Sequence, residues 1–177
     1  MARRRANPAP TLAANEAKPP PKDAQDTTPT SKAGTWFLQF PPFVYDSKAG
    51  LQSNFNRLAA DRKWGAKLKA KRWAQCQEEE FDHAYGGDVT KLESWQNLCR
   101  EVHILNPPNS IRQCKNALGA RNVWVNLVNL IDHRNIGVEV IRFKNYHAFR
   151  RYTEDGRVFP KKRAKEEGFI KALLRKL

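Results

Sequence analysis

The sequence predicts a mainly α-helical protein: a single multi-helix domain preceded by a disordered N-terminal tail. Beyond residue 36, apolar residues recur three and four positions apart in most segments, which is the spacing of an amphipathic helix. Residues 1–35 hold six of the eleven prolines and no aromatic residue, Val or Ile. Such a segment buries too little apolar surface to offset the entropy of an ordered chain. We therefore expect a basic, Pro/Ala-rich disordered tail over residues 1–35 and a helical domain over residues 36–177.

Local patterns predict the elements in order along the chain. Segment 37–46 carries aromatic residues around Pro41 and Pro42, so we expect an aromatic arm that lies extended on the domain. Asp46 or Ser47 is the expected N-cap of the first helix. The helices are predicted at about residues 47–64, 66–85, 90–103, 110–118, 123–133, 145–153 and 166–176. The second helix is expected to face the core with Ala66, Ala70, Trp73, Cys76, Phe81 and Ala84.

Two stretches allow more than one reading. Trp64 follows Phe55 by nine residues and would point to the opposite side of a continuous helix. We therefore expect the chain to break near Gly65, although one long helix that buries two faces is the alternative. The run VWVNLVNLI, residues 123–131, fits a buried helix slightly better than a strand, and both interpretations remain open.

Positive charge is concentrated in particular segments. The chain has a net charge of +14, and RKWGAKLKAKRW, residues 62–73, contains six Lys or Arg and no acidic residue. Residues 142–177 contain twelve basic residues and four acidic ones, whereas residues 74–141 are slightly acidic. A strongly basic chain favours acidic partners, such as nucleic acid, an anionic membrane surface or an acidic protein.

The lysines of the second predicted helix lie where the helix dipole disfavours them. Lys67 and Lys71 come near its start, whereas Glu78 and Asp82 come near its end. The opposite order would be favoured by about 0.3 to 1 kcal/mol per charge. These lysines are therefore expected to meet either acids elsewhere in the domain or an external anion.

Two groups of basic residues are the candidate nucleic-acid contacts. The first group is Arg62, Lys63, Lys67, Lys71 and Arg72, and the second is Lys161, Lys162, Arg163 and Lys165. The second group has the composition of a nuclear-import or nucleic-acid patch, with a solvated linker as the alternative.

Other chemistries fit the sequence poorly. A helix-turn-helix around Gly119 would use VWVNLVNLI as its recognition helix, and that helix is too apolar to read base edges. Cys76, His83, Cys99 and His103 lack the close pairs of a structural zinc site. The acidic residues Glu78, Glu79, Glu80 and Asp82 are interpreted as a solvated helix face. No catalytic motif is found, so we expect a non-enzymatic protein without metal or cofactor.

Composition also bears on location. No segment approaches the roughly 20 apolar residues that span a bilayer, and the N-terminus lacks a secretory apolar region. Three widely spaced cysteines suit a reducing compartment. The sequence therefore predicts an intracellular protein, with a nuclear location favoured. A mitochondrial presequence is disfavoured because Pro8 and Pro10 interrupt the amphipathic helix that the Arg3-Arg4-Arg5 start would need.

Two functional hypotheses follow. The first is a basic binding module that contacts nucleic acid nonspecifically through its phosphates. The alternative is a protein-interaction module that docks an acidic partner, with Trp64 and Leu68 exposed together as an apolar anchor among lysines.

A series of blocks gives the chain a resemblance to a known family. The blocks are FNRLAADRKWG, EEEFDHAYG, ESWQNLC, SIRQCKNAL, NVWVNLVNLID, Tyr152-Thr153, VFPK and GFIKALLRKL. In their order and spacing, residues 43 to 177 resemble a widespread family of uncharacterised fungal proteins. The resemblance implies a single helical domain with a break after Trp64, and it implies no catalytic or binding residue. This chain is more basic than the family pattern in LKAKRW and KKRAK.

Overall fold

The computed structural model describes residues 33–160 and 168–175. In these ranges the chain forms one short 3-10 helix and seven α-helices, with no strand. The 3-10 helix spans Thr35–Gln39, and the α-helices are α1 (Leu51–Asp61), α2 (Ala66–Tyr85), α3 (Leu92–Glu101), α4 (Ile111–Leu118), α5 (Leu127–Ile136), α6 (Tyr146–Glu154) and α7 (Phe169–Leu173). This confirms the predicted mainly α fold class. The tail was predicted over residues 1–35, of which residues 1–32 lie outside the described ranges. Gly34 is buried and Thr35 begins the 3-10 helix, so the folded part starts before the predicted residue 36.

One apolar core holds the helices together, and α5 lies at its centre. Leu127, Val128, Leu130 and Ile131 of α5 are all buried, so this helix has little solvent-facing surface in its first half. It packs against α1 and α2, while α3 packs against α4 and α4 against α7. The arrangement leaves the N-terminal turns of α2 at the edge of the bundle, and Ala66, Lys67 and Lys69 there are exposed.

Helix α1 begins at Leu51 rather than near residue 47, and neither Asp46 nor Ser47 caps it. The residue before the helix is Gly50, which has no side chain to cap with. The carboxylate of Asp132 on α5 instead accepts a hydrogen bond from the Leu51 N–H at 2.7 Å. The cap therefore comes from a residue 81 positions along the chain.

The break between α1 and α2 falls near Gly65, as the sequence predicted, and it allows Trp64 to face Phe55 instead of pointing away as it would in one continuous helix. The chain leaves α1 through Lys63, whose φ of 51° lies in the left-handed region. The Trp64 ring thereby returns to a position 5.8 Å from the Phe55 ring. Helix α2 then runs from Ala66 to Tyr85, and the predicted range was also 66–85.

The aromatic arm is not extended throughout. Its first residues form the 3-10 helix, because the Glu80 carboxylate accepts hydrogen bonds from the N–H groups of Gly34 at 2.9 Å and Trp36 at 2.8 Å. Trp36 and Phe37 are consequently buried against α2. Glu80 is itself 1% exposed, so the prediction of a solvated face is wrong for this glutamate.

Helix α5 begins four residues later than predicted. Asn126 is its N-cap, and its side-chain oxygen accepts from the N–H groups of Val128 at 2.9 Å and Asn129 at 3.3 Å. The preceding Val123 and Val125 are buried but not helical. The Trp124 carbonyl accepts from the Phe143 N–H at 2.9 Å, so this stretch pairs briefly with residues near 143.

The remaining helices differ from the predicted bounds mainly at their ends. Helix α3 is shorter than 90–103, because Asp88 accepts from the Thr90 N–H and closes a turn rather than a helix. The last predicted helix, 166–176, is described only in part, and its helical residues there are Phe169–Leu173.

Candidate nucleic-acid interface

Four lysines surround the junction between α1 and α2. Lys63 lies in the turn, and Lys67, Lys69 and Lys71 lie on the first two turns of α2; all four are exposed. Within residues 33–160 and 168–175, no carboxylate oxygen lies within 4.0 Å of any of their ammonium groups. We call these four residues the lysine cluster. Its charge is not balanced by an ion pair from this part of the chain.

The start of α2 adds to the positive potential of the lysine cluster. Gly65 precedes the helix and supplies no side-chain hydrogen bond, and no acidic residue lies in the first turn. The first N–H groups of a helix carry the positive end of its dipole. Four lysines beside that end repel it rather than stabilise it. The arrangement favours an anion at this end of the helix.

The two candidate arginines have partners within the chain. The Arg62 guanidinium donates to the carbonyls of Phe40 at 3.0 Å and Pro41 at 2.7 Å, and its Nε lies 3.3 Å from the Asp61 carboxylate. The Arg72 guanidinium lies 5.6 Å from the centre of the Phe40 ring. Both arginines thus hold the aromatic arm against α1 and α2, in contrast to the lysines.

The two residues of the candidate apolar anchor, Trp64 and Leu68, lie in different environments. Trp64 is only partly exposed, because its ring packs against the rings of Trp36, Phe40 and Phe55 at 5.4 to 6.4 Å. Leu68 is 43% exposed on the outer side of α2. Most of the apolar surface of Trp64 therefore belongs to the arm rather than to a docking surface.

A groove of about 440 Å³ opens beside the lysine cluster. It runs between α1, α2 and the turn after α6, and on α2 it is lined by Ala66, Lys69, Ala70 and Trp73. The sequence predicted Ala66 and Ala70 to face the core, but both are exposed. Both alanines lie on the side of α2 that faces the core further along the helix, but the other helices do not extend far enough to cover them.

On α2, the sequence did not predict two residues of this surface. Lys69 was not among the candidates, although it lines the groove, and Trp73 was assigned to the core alone. The spacing of Ala66, Lys69, Ala70 and Trp73 places them on one helix face. On this face the residues before Trp73 are two alanines and a lysine. Their small size and charge indicate that the first part of the face is open to solvent.

The second basic group, Lys161, Lys162, Arg163 and Lys165, lies outside the described residues. Its role as a phosphate-binding patch stays a prediction.

A second charged cluster, formed by Tyr85, Glu101 and Arg134, makes its contacts within the protein. Arg134 donates to Glu101 at 2.9 and 3.2 Å, and its guanidinium lies 3.8 Å from the centre of the Tyr85 ring. The Tyr85 hydroxyl donates to the same Glu101 carboxylate. Burial and the negative charge of Glu101 raise the pKa of Tyr85 well above its usual range. The cluster joins α2, α3 and α5.

Among the described residues, no set of three or more His, Cys, Asp and Glu residues has the arrangement of a metal site. The described helices include none whose length and apolar character would let it cross a bilayer.

Comparisons with protein-family models, with curated proteins and with solved structures give no significant match to this chain.

Proposed function

We propose that the protein is a non-enzymatic module that binds nucleic acid nonspecifically through backbone phosphates. The observation that carries the proposal is the lysine cluster: four exposed ammonium groups at the start of one helix, without a carboxylate within 4.0 Å in the described residues. Binding a phosphate releases its condensed counterions, so each contact contributes favourably at low salt.

The kind of side chain supports nonspecific binding. Lysine is a point charge on a flexible stem, whereas arginine presents a planar fork that reads guanine edges. In this protein the candidate arginines of the first group, Arg62 and Arg72, contact the aromatic arm. The lysines therefore remain available to a polyanion, and their ammonium groups recognise charge without reading base sequence.

An acidic protein partner is the second candidate. Leu68 is 43% exposed and lies in sequence between Lys67 and Lys69, so it offers an apolar contact within a positively charged surface that an acidic partner would complement. Affinity purification with and without nuclease separates the two proposals. Partners that persist after nuclease treatment favour the acidic protein, and partners that disappear favour nucleic acid. A nuclear location and membership of the fungal family stay predictions.

The direct test is a titration of the full chain with a fluorescent 20-base-pair DNA duplex at low salt. We expect the double variant K67Q/K71Q to bind several-fold more weakly than the wild type, because two phosphate contacts are lost. The matched control is K48Q/K91Q, which removes the same charge from exposed positions outside the lysine cluster.

The same variants rule out misfolding as the cause. Removing cations from the start of α2 relieves an unfavourable interaction with its dipole, so K67Q/K71Q should unfold at the same or a higher temperature than the wild type. Absence of duplex binding at low salt by the wild type would overturn the proposal, as would equal loss of binding in both variants.

A further inference from the structure

The groove beside the lysine cluster has the features of a stacking site. We propose that it accepts an unpaired base, so that the protein binds single-stranded nucleic acid more tightly than duplex. This inference rests on the proposed function and deepens it, because it assigns a part of the strand to a part of the surface.

The aromatic wall of the groove is Trp73, whose ring is held in place from two sides. Its centre lies 4.8 Å from that of Phe55, which is 2% exposed and backs the ring. The Trp73 Nε1–H donates to the Gly156 carbonyl at 2.9 Å, which ties the ring to the turn after α6. Trp73 is itself only partly buried, so part of its ring faces the groove. A fixed, solvent-facing indole is a platform on which any base can stack.

Small residues make room in front of this platform. Ala66 and Ala70 line the groove and project only a methyl group each. The resulting volume of about 440 Å³ lies in the range of roughly 300 to 1,000 Å³ that is usual for organic ligands. A flat base with its sugar is an occupant of suitable size.

The polar groups of the groove suit a base without selecting one. Asn56 is exposed at the groove and offers an amide, which can both donate and accept. Gln52 donates to the Asp155 carbonyl at 2.9 Å, and its side-chain oxygen remains an acceptor. Asp155 also lines the groove, and Arg157 lies 2.6 Å from its carboxylate and offsets its charge.

Charge complementarity identifies the occupant as a nucleotide rather than an apolar side chain. Lys69 lines the groove, and the exposed Lys67 lies on a neighbouring face of α2, about 60° from Ala70 at 100° per residue. The Lys69 ammonium beside the stacking platform and the nearby Lys67 suit the phosphates that flank a base in a strand. A neutral apolar ligand would gain nothing from them.

The first test compares three probes with the full chain: a 20-residue thymidine oligonucleotide, an abasic strand of equal length, and a 20-base-pair duplex. We expect the thymidine strand to bind at least about fivefold more tightly than the abasic strand, which has the phosphates but no base to stack. Equal binding of the two strands would overturn the inference while leaving the proposed function intact. Absence of binding to all three probes would overturn both.

The second test fills the groove. We expect A70L to reduce binding of the thymidine strand to the level of the abasic strand and to leave duplex binding unchanged. Ala70 is an exposed helical residue, and Leu is nearly as favourable there, so the fold should be retained. The matched control is A60L, an equivalent change on the exposed side of α1 that does not line the groove. An equal effect of A70L on strand and duplex would contradict the assignment of the groove.

A spectroscopic measurement places the base at Trp73 itself. Stacking should quench tryptophan fluorescence when the thymidine strand binds the wild type. In W73F a smaller ring remains without the hydrogen bond to the Gly156 carbonyl, so affinity for the thymidine strand should fall part of the way toward that of the abasic strand, and the quenching should fall sharply because the reporting indole is gone. Undiminished quenching in W73F would show that the bases stack elsewhere.

Discussion

Glu80 makes three polar contacts where the start of the 3-10 helix meets α2. Its carboxylate accepts from the N–H groups of Gly34 and Trp36 and from the Thr35 hydroxyl. The partners precede it by 44 to 46 residues, so the sequence offers no local means to separate Glu80 from Glu78 and Glu79. Hydrogen bonds to the start of the 3-10 helix are what make the burial of this charge tolerable.

We expect the substitution E80Q to lower the free energy of unfolding by about 2 to 3 kcal/mol, because a neutral amide cannot accept from all three donors. Its NH₂ group would also face a backbone N–H. Urea denaturation followed by tryptophan fluorescence measures the effect. The exposed neighbour Glu79 supplies the control, and E79Q should change stability by less than about 0.5 kcal/mol. Similar losses in both variants would show that Glu80 does not secure the arm.

At the scale of elements, the helix ends separate what local sequence can predict from what it cannot. The sequence correctly predicted Ser110 as the start of α4, and its hydroxyl accepts from the Gln113 N–H. The start of α1 depends on Asp132, whose position relative to Leu51 only the folded bundle fixes. The start of α5 was misassigned because Asn126 was counted among helical residues, although Asn is a favoured N-cap.

Asn126 joins two helices, whereas Asn145 caps only one. The Asn126 amide nitrogen donates to the Thr153 hydroxyl and the Arg157 carbonyl, both at 3.1 Å, in addition to the capping bonds of its oxygen. Asn145 is exposed and accepts from the Ala148 N–H at the start of α6.

We therefore expect N126A to lower the free energy of unfolding by about 2 to 3 kcal/mol, and N145A by about 1 kcal/mol. The difference is the loss of the donors that reach Thr153 and Arg157. Thermal or chemical denaturation of both variants measures it directly. Equal losses would mean that the amide of Asn126 contributes no more than an ordinary cap.

Helix α2 illustrates how an element can be predicted while its surroundings are not. Its length follows from Gly65 and Gly86 at its ends and from its helical spacing of apolar residues. Its inner face was predicted to be buried along the whole length, yet the bundle covers Cys76 and Phe81 and leaves Ala66 and Ala70 exposed. The point at which the other helices stop covering α2 depends on the packing of the whole bundle. The spacing of apolar residues within α2 therefore cannot predict it.

At the scale of the whole molecule, charge distribution was the most informative property of the sequence. Only the structure, however, distinguishes the basic residues that contact the protein itself from those that do not. Composition gave a basic segment at 57–73 with seven Lys or Arg and one Asp. The structure divides that segment into arginines that hold the aromatic arm and lysines that have no carboxylate nearby within the described ranges. Arginine and lysine are equivalent in a charge count, but differ in the contacts that a fold makes with them.

The central claim is that the lysine cluster binds phosphates. It is tested most directly by the salt dependence of duplex binding, measured by fluorescence anisotropy for the wild type and for K63Q/K67Q/K69Q/K71Q. If all four lysines contact phosphates, the slope of log K against log salt should be shallower in the variant by up to about 3.6, or about 0.9 per contact. An unchanged slope, with the variant folded, would contradict the claim.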